Sequence, residues 1–210
     1  MNQQPEHRLF AAIYDPVTQI FEPSLLKPHR EYLTKNIDGV ILDLGAGTGA
    51  LFPYFEHGGT ESVTHVNALE PDPFMQARAT ARANNASVPI TLHTGVAEYL
   101  PFADDSFDFV LSAMVFCTIQ NVAHAIQEIT RVLRPGGEFR FFEHVKADGL
   151  QQAIQTVFEP CWCRIAGGCH LTRDTATIFR NSDLDVIEFE QLSIGVTPVK
   201  PFIRGRLINQ

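Results

Sequence analysis

Short runs of consecutive or alternating apolar residues take turns along this chain with segments in which apolar residues recur at helical spacing. That rhythm predicts strands interleaved with helices. "GVILDL" (39–44) is an unbroken apolar run closed by a glycine, suited to a central strand buried on both faces. A helix is expected behind it, from about Gly49 to Glu56. "THVNALE" (64–70) alternates and predicts a second strand, and Pro71 and Pro73 then punctuate the start of an alanine- and arginine-rich helix over 73–85. "ITLHTG" (90–95) predicts a third strand and "SFDFVLSAMVF" (106–116) a fourth. In "NVAHAIQEITRVL" (121–133), Val122, Ile126, Ile129 and Leu133 share one helical face. The proline-glycine turn of "RPGGEFRFFEHV" feeds a fifth strand. Beyond it the pattern predicts a helical segment near 150–158, a helix starting at Thr172, a strand in "DVIEFEQL" and a last strand in "PFIRGRLIN". Alternation of this kind implies an α/β fold: a doubly wound, mostly parallel sheet with helices on both faces. Its 210 residues, free of repeats and low-complexity tracts, suit a single globular domain.

A formal charge of −8 and a pI near 5.4 argue against a sequence-independent nucleic-acid binder, which needs a basic stripe to neutralise phosphates. A small-molecule partner fits better. The longest apolar stretch, "FVLSAMVFCTI" (109–119), falls short of the roughly 20 residues of a membrane-spanning helix, which leaves peripheral membrane contact open. "MNQQPEHRLF" lacks the charged-then-apolar pattern of a signal peptide, so a cytoplasmic location is expected. Four cysteines are too few for a disulfide scaffold. Three of them crowd into "CWCRIAGGCH" as Cys161, Cys163 and Cys169, with His170 beside them, but without the paired C-x2-C knuckles of structural zinc sites. The expectation is therefore packing cysteines, with Cys169 on a substrate pocket wall and no metal.

The chemistry concentrates in "LDLGAGTGA". A strand running into a helix through Gly45, Ala46, Gly47 and Gly49 leaves backbone N–H groups bare, the general arrangement of nucleotide sites in doubly wound sheets. "GAGTGA" also matches the dinucleotide fingerprint with Ala50 in last place, and Glu70 is spaced to hold a ribose with either cofactor. Asp43 separates the two readings. A carboxylate at the end of the first strand repels a pyrophosphate and favours an ammonium and a sulfonium, the charges of S-adenosyl-L-methionine. Capping of the following turn is the structural alternative for Asp43.

"ILDLGAGTG", "ALEPD", "LPFADDSFDFVLSAMVF" and "ITRVLRPGGEFRFFEHV" resemble, in order and spacing, the motifs of class I S-adenosylmethionine-dependent methyltransferases over about residues 40–145. "LPFADDSFD" and "LRPGG" resemble the ubiquinone/menaquinone-type branch, whereas "EHV" and "GGCHLTRDT" are more similar to the methyltransferase-like alkyl thiol methyltransferases, which act on small thiols. The resemblance implies a seven-stranded sheet in the order 3-2-1-4-5-7-6. It implies that Asp43 and the Gly45–Gly49 loop cradle the methionine end and that Glu70 binds both ribose hydroxyls. Pro71 would pack on the adenine, Ala97 and Glu98 would flank its edge, and Ala113 and Met114 would form the floor. Val96 stands where many relatives carry an acidic residue for the adenine amino group. An N-terminal helical segment, 1–38, would fold over the cofactor with Tyr14 as a lid contact, ahead of the catalytic domain at 39–210. Methyl transfer from a sulfonium asks chiefly for alignment. A base, where needed, is sought in His144, Glu143 and His170. A thiol is the favoured acceptor, beside a quinone precursor or a phospholipid amine. Two other readings stay open, a non-catalytic S-adenosylmethionine-binding protein and an NAD-dependent oxidoreductase.

Overall fold

The computed structural model describes residues 7–55 and 63–210. Seven strands form one sheet: β1 (Gly39–Leu44), β2 (Val63–Leu69), β3 (Ile90–His93), β4 (Phe107–Ala113), β5 (Leu133–His144), β6 (Asp185–Leu192) and β7 (Phe202–Ile208). Their order is β3-β2-β1-β4-β5-β7-β6. The five strands from β3 across to β5 are parallel, and β7 runs antiparallel to both of its neighbours. The chain winds outward from β1 in one direction to β3 and then restarts at β4 on the other side. This reversal beside β1 opens a crevice at the carboxyl ends of β1 and β4, where doubly wound sheets take their ligands.

Period-two alternation decides which core each strand residue joins. Leu42, Val110 and Phe141 pack with Val122, Ile126 and Ile129 of α4 (Val122–Val132) and Phe179 of α6 (Thr175–Arg180). Their sequence neighbours Ile41, Leu111 and Phe142 point to the other face, among Leu33, Phe52, Phe55 and Ala79 of α3 (Pro73–Ala83). Asp72 caps α3, accepting from the N–H groups of Phe74 and Met75, with Pro73 at its first position. Asn121 caps α4 in the same manner.

Three helical expectations are corrected. The helix sought at Gly49–Glu56 is a turn followed by a single 3-10 turn, Phe52–Phe55; Glu56 itself lies outside the described residues. Gly49 sits at φ +77° and Pro53 lacks an N–H, so the segment is shaped by burial of Phe52 and Phe55. The helix expected near 150–158 is α5 (Gly149–Ile165), which continues through Pro160 and takes in Cys161 and Cys163. The helix expected from Thr172 starts later as α6, where Asp174 accepts from the Thr177 N–H.

The N-terminal segment divides. α1 (Arg8–Phe21) crosses the end of the sheet, and a five-residue π-helical stretch, Glu22–Leu26, hands over to α2 (Lys27–Thr34). α2 belongs to the sheet-covering layer, with Leu33 buried, the His29 ring stacked on Phe142 and the Arg140 guanidinium donating to the Lys35 carbonyl. Residues 1–6 lie outside the described residues. Among the described residues no helix is long and apolar enough to cross a membrane.

Candidate active site

The carboxyl ends of the central strands, α1 and the end of α5 enclose a cavity of about 1090 Å³. At its β1 end the chain must leave a fully buried strand within a few residues, and Gly45, Gly47 and Gly49 do so at φ +65°, +58° and +77°, a region that side chains disfavour. A Cβ on Gly45 would stand 2.5 Å from the Val115 side chain, whereas one on Gly47 would meet nothing closer than 3.9 Å. The backbone is bare where it faces the cavity.

Glu70, one residue beyond β2, bridges this loop to the next. Its Oε2 accepts from the Gly47 N–H at 2.9 Å and its Oε1 from the Asp72 N–H at 2.8 Å. Burial pushes its carboxyl up to about 7 against the pull of those two N–H groups. Asp43 lies deeper. Burial raises it to about 8, opposed by the nearby Arg30 charge and reinforced by Glu70, and its Oδ2 has no hydrogen-bond partner among the described residues. A buried oxygen left open in this way is available to a hydrogen-bond partner beyond the described residues.

α1 roofs this end with Phe10, Ile13, Tyr14, Val17 and Phe21. The helix is fastened at Asp15, which accepts from Thr48 Oγ1 at 2.7 Å and pairs with Arg82 of α3 at 3.0 Å. Burial raises the Tyr14 phenol. Pro71, Ala97, Ala113 and Met114 line the cavity, Met114 at φ +61°, a strained position for a residue with a side chain. Glu98 also reaches the wall, but its Oε1 accepts from the Gln120 and Asn121 N–H groups at 2.9 and 3.1 Å, so it caps the approach to α4. Asp43, Ala46 and Gly49 stand behind the lining rather than on it.

The far end is built from β5, the turn after β4 and the loop after α5. Glu143, expected as a catalytic candidate, is fully buried, off the cavity wall, and occupied. It accepts from Ser112 Oγ at 2.6 Å and from the Val115 and Phe116 N–H groups at 3.0 and 3.1 Å. Burial lifts its carboxyl to about 7 despite those donors. Its task is to hold the turn that carries Cys117. The neighbouring His144 alternates to the cavity side, with its Nε2 3.1 Å from Cys169 Sγ, which also accepts from Trp162 Nε1 at 3.2 Å. Hydrogen bonds from Cys117, His144 and Trp162 hold the Cys169 thiol below its ordinary range despite burial. Burial opposes a charged His144, and the Cys169 bond outweighs it. His170 lines the cavity too, with its Nδ1 2.9 Å from Glu159 Oε1.

A family model described as a methyltransferase domain matches residues 42–141. The thiol S-methyltransferase TMT1B of Homo sapiens is 33% identical over 176 residues, 80% of this chain and 70% of that protein. The chain belongs to the S-adenosylmethionine-dependent methyltransferases. Human thiol S-methyltransferase TMT1A is 27% identical over 95% of this chain and 83% of its own length. The fold is shared with the putative methyltransferase in the Haloferax volcanii Trm112 activator complex, at TM-score 0.73 and 19% identity over 98% and 96% of the two chains. This methyltransferase accordingly takes S-adenosyl-L-methionine and acts on a small-molecule acceptor. Its residues fit that donor: a bare Gly47 and a carboxylate just past the end of β2 line an apolar cavity, with the open carboxylate oxygen of Asp43 behind that lining. Sequence reasoning missed Asp15, Cys117 and Trp162. Cys117 sits inside an apolar run and reads as packing, so only the fold reveals its neighbours.

Proposed function

We propose that this methyltransferase acts on small thiols. The observation that carries the reading is the cavity's contrast: its roof is apolar, from Phe10, Ile13 and Val17, while its far end presents the His144–Cys169 pair beside Cys117. The similarity to the thiol S-methyltransferases TMT1B and TMT1A supports it. The open Asp43 oxygen would receive the donor's ammonium, the Gly45–Gly49 backbone its methionine end and Glu70 its ribose hydroxyls, with Pro71, Ala97 and Met114 against the adenine. When bound, S-adenosyl-L-methionine supplies a methyl group already activated on a sulfonium. The remaining work of the chain is to align, to exclude water and to ionise the acceptor. α1, latched by Asp15 to Thr48 and Arg82, serves as the lid, with Tyr14 facing inward. His144 lies at the acceptor end of the cavity beside Cys169, and His170, tied to Glu159, is the more exposed of the two histidines. The four cysteines are free, which fits a reducing, cytoplasmic setting.

The buried carboxyls make cofactor binding pH-dependent. Asp43 at about 8 and Glu70 at about 7 are raised above their unfolded values, so the stability they confer is present at low pH and lost as pH rises through those values. An ammonium and two hydroxyl donors favour the ionised forms, so binding should release protons near about pH 6, and the release should fade above about pH 9. Calorimetry in buffers of different ionisation enthalpy reads this directly. The Asp43→Asn variant should release fewer protons, and proton uptake by the unaltered chain would contradict the arrangement.

The acceptor is tested by incubating the purified chain and S-adenosyl-L-methionine with small thiols, quinols and amines while following S-adenosylhomocysteine. Thiols are expected to turn over. Turnover of a quinol or an amine with none of any thiol would overturn the reading, and cofactor binding without turnover would mark a non-catalytic binder.

A further inference from the structure

Cys117, His144 and Cys169 come from three separate elements, the turn after β4, the end of β5 and the loop after α5. All three are buried, all three reach the cavity wall, and one donor atom from each lies within 4.8 Å of the other two. We propose that they form a zinc site with three protein ligands, whose fourth position opens into the cavity and takes the acceptor sulfur as a thiolate. The last part rests on the thiol reading above; the site itself does not.

The donor set is the first argument. Two cysteine sulfurs and one imidazole suit zinc, and three protein ligands with an open position is the pattern of reactive rather than structural zinc sites. Size is the second. Around a tetrahedral ion with bonds of roughly 2.0–2.3 Å, neighbouring ligand atoms stand roughly 3.5–3.8 Å apart. His144 Nε2 and Cys169 Sγ, at 3.1 Å, need to part only slightly to admit one.

Each ligand also has its own holder. Glu143 accepts from the Val115 and Phe116 N–H groups and so fixes the turn that presents Cys117. The Trp162 indole N–H donates to Cys169 Sγ, an outer-shell bond of the kind that orients a metal thiolate. The His170 N–H donates to the Cys117 carbonyl at 3.0 Å, joining the two cysteine loops. Two cysteine sulfurs and an imidazole gathered at the acceptor end of an apolar cavity are otherwise unexplained by cofactor binding. The cysteine-rich stretch 161–170 holds only one of the three ligands, Cys169, and its Cys161 is exposed, so the set is not visible in local spacing.

The site ionises a thiol without a strong base. The acceptor sulfur displaces a water from the fourth position, a zinc–sulfur bond forms, and the thiol proton leaves to solvent. The bound sulfur keeps a lone pair for the methyl carbon, its bond to that carbon forms as the donor's carbon–sulfur bond breaks, and the neutral thioether, a weak ligand, departs. Charge balances, since a thiolate and a sulfonium become two neutral thioethers.

The full chain, purified without a histidine tag and incubated with zinc in a phosphine reductant, is desalted and its metal measured by atomic emission. About one zinc per chain is expected, lost in Cys117→Ser and Cys169→Ser and kept in Cys161→Ser. With cobalt in place of zinc, thiolate-to-cobalt charge-transfer absorption should appear and should shift when 2-mercaptoethanol is added without cofactor. Failure of the unaltered chain to retain zinc, or zinc retained equally by the Cys117 and Cys169 variants, would overturn the site whether or not the variants fold well. A metal-free enzyme that methylates thiols at full rate defeats the zinc site and leaves the proposed function standing. A zinc-loaded chain that methylates no thiol defeats the acceptor reading and the fourth ligand, and leaves the three-residue site.

Discussion

Replacing Glu70 by alanine is expected to weaken S-adenosyl-L-methionine binding by about a hundredfold or more while the chain stays folded. Two separate losses combine. A carboxylate accepting two hydroxyls makes charge-assisted bonds worth roughly 1.5–3 kcal/mol each, and roughly 2.7 kcal/mol already amounts to a hundredfold in affinity. The same carboxylate also holds the Gly47 and Asp72 N–H groups in the free protein, so its removal loosens the glycine loop before any ligand arrives. Stability should change less, because Glu70 is held in an environment that disfavours its charge, and burial raises its carboxyl to about 7. Isothermal calorimetry and a urea melt on the same preparation separate the two effects. Unchanged affinity would remove Glu70 from the cofactor site. Glu70→Gln, which keeps acceptor oxygen at one position, should fall between.

The second large effect is expected at Glu143. Glu143→Ala should destabilise the fold by about 3 kcal/mol, since it strands the Ser112 hydroxyl and the Val115 and Phe116 N–H groups in a dry interior at roughly 1–3 kcal/mol apiece, offset in part by removing a costly buried carboxyl. Urea unfolding measures it through the midpoint at constant slope. Were Glu143 a base acting on the acceptor, the alanine variant would instead keep its stability and lose turnover alone. Glu143→Gln retains one acceptor oxygen and should cost about 1 kcal/mol.

The two glutamates mark the limits of reading a site from spacing. Glu70 and Glu143 each stand at or just beyond the carboxyl end of a strand. Glu70 faces the cavity and Glu143 does not, because alternation along β5 sends His144 to the cavity side and Glu143 behind it. Glu98 shows the same limit: the resemblance assigns it to the adenine edge, and the nearby Gln120 and Asn121 N–H groups bind one of its oxygens. His144 is the converse case. In the sequence it is one of three candidate bases, and only the fold sets Cys169 and Cys117 against it.

What the amino-acid sequence determined by itself is local and periodic. Strand faces, the glycine loop and the strand–helix alternation of a mostly parallel sheet follow from hydrophobic spacing and from the steric freedom of glycine, while the order of the strands came from the resemblance to the family. The tertiary structure alone decided which side chains meet across long separations: Asp15 with Arg82, Tyr32 with Glu188, Cys117 with His144 and Cys169. The physical reason is that such contacts are fixed by how helices and loops dock on the sheet, a sum of many small packing energies in which no single pair of residues leaves a mark on the spacing along the chain.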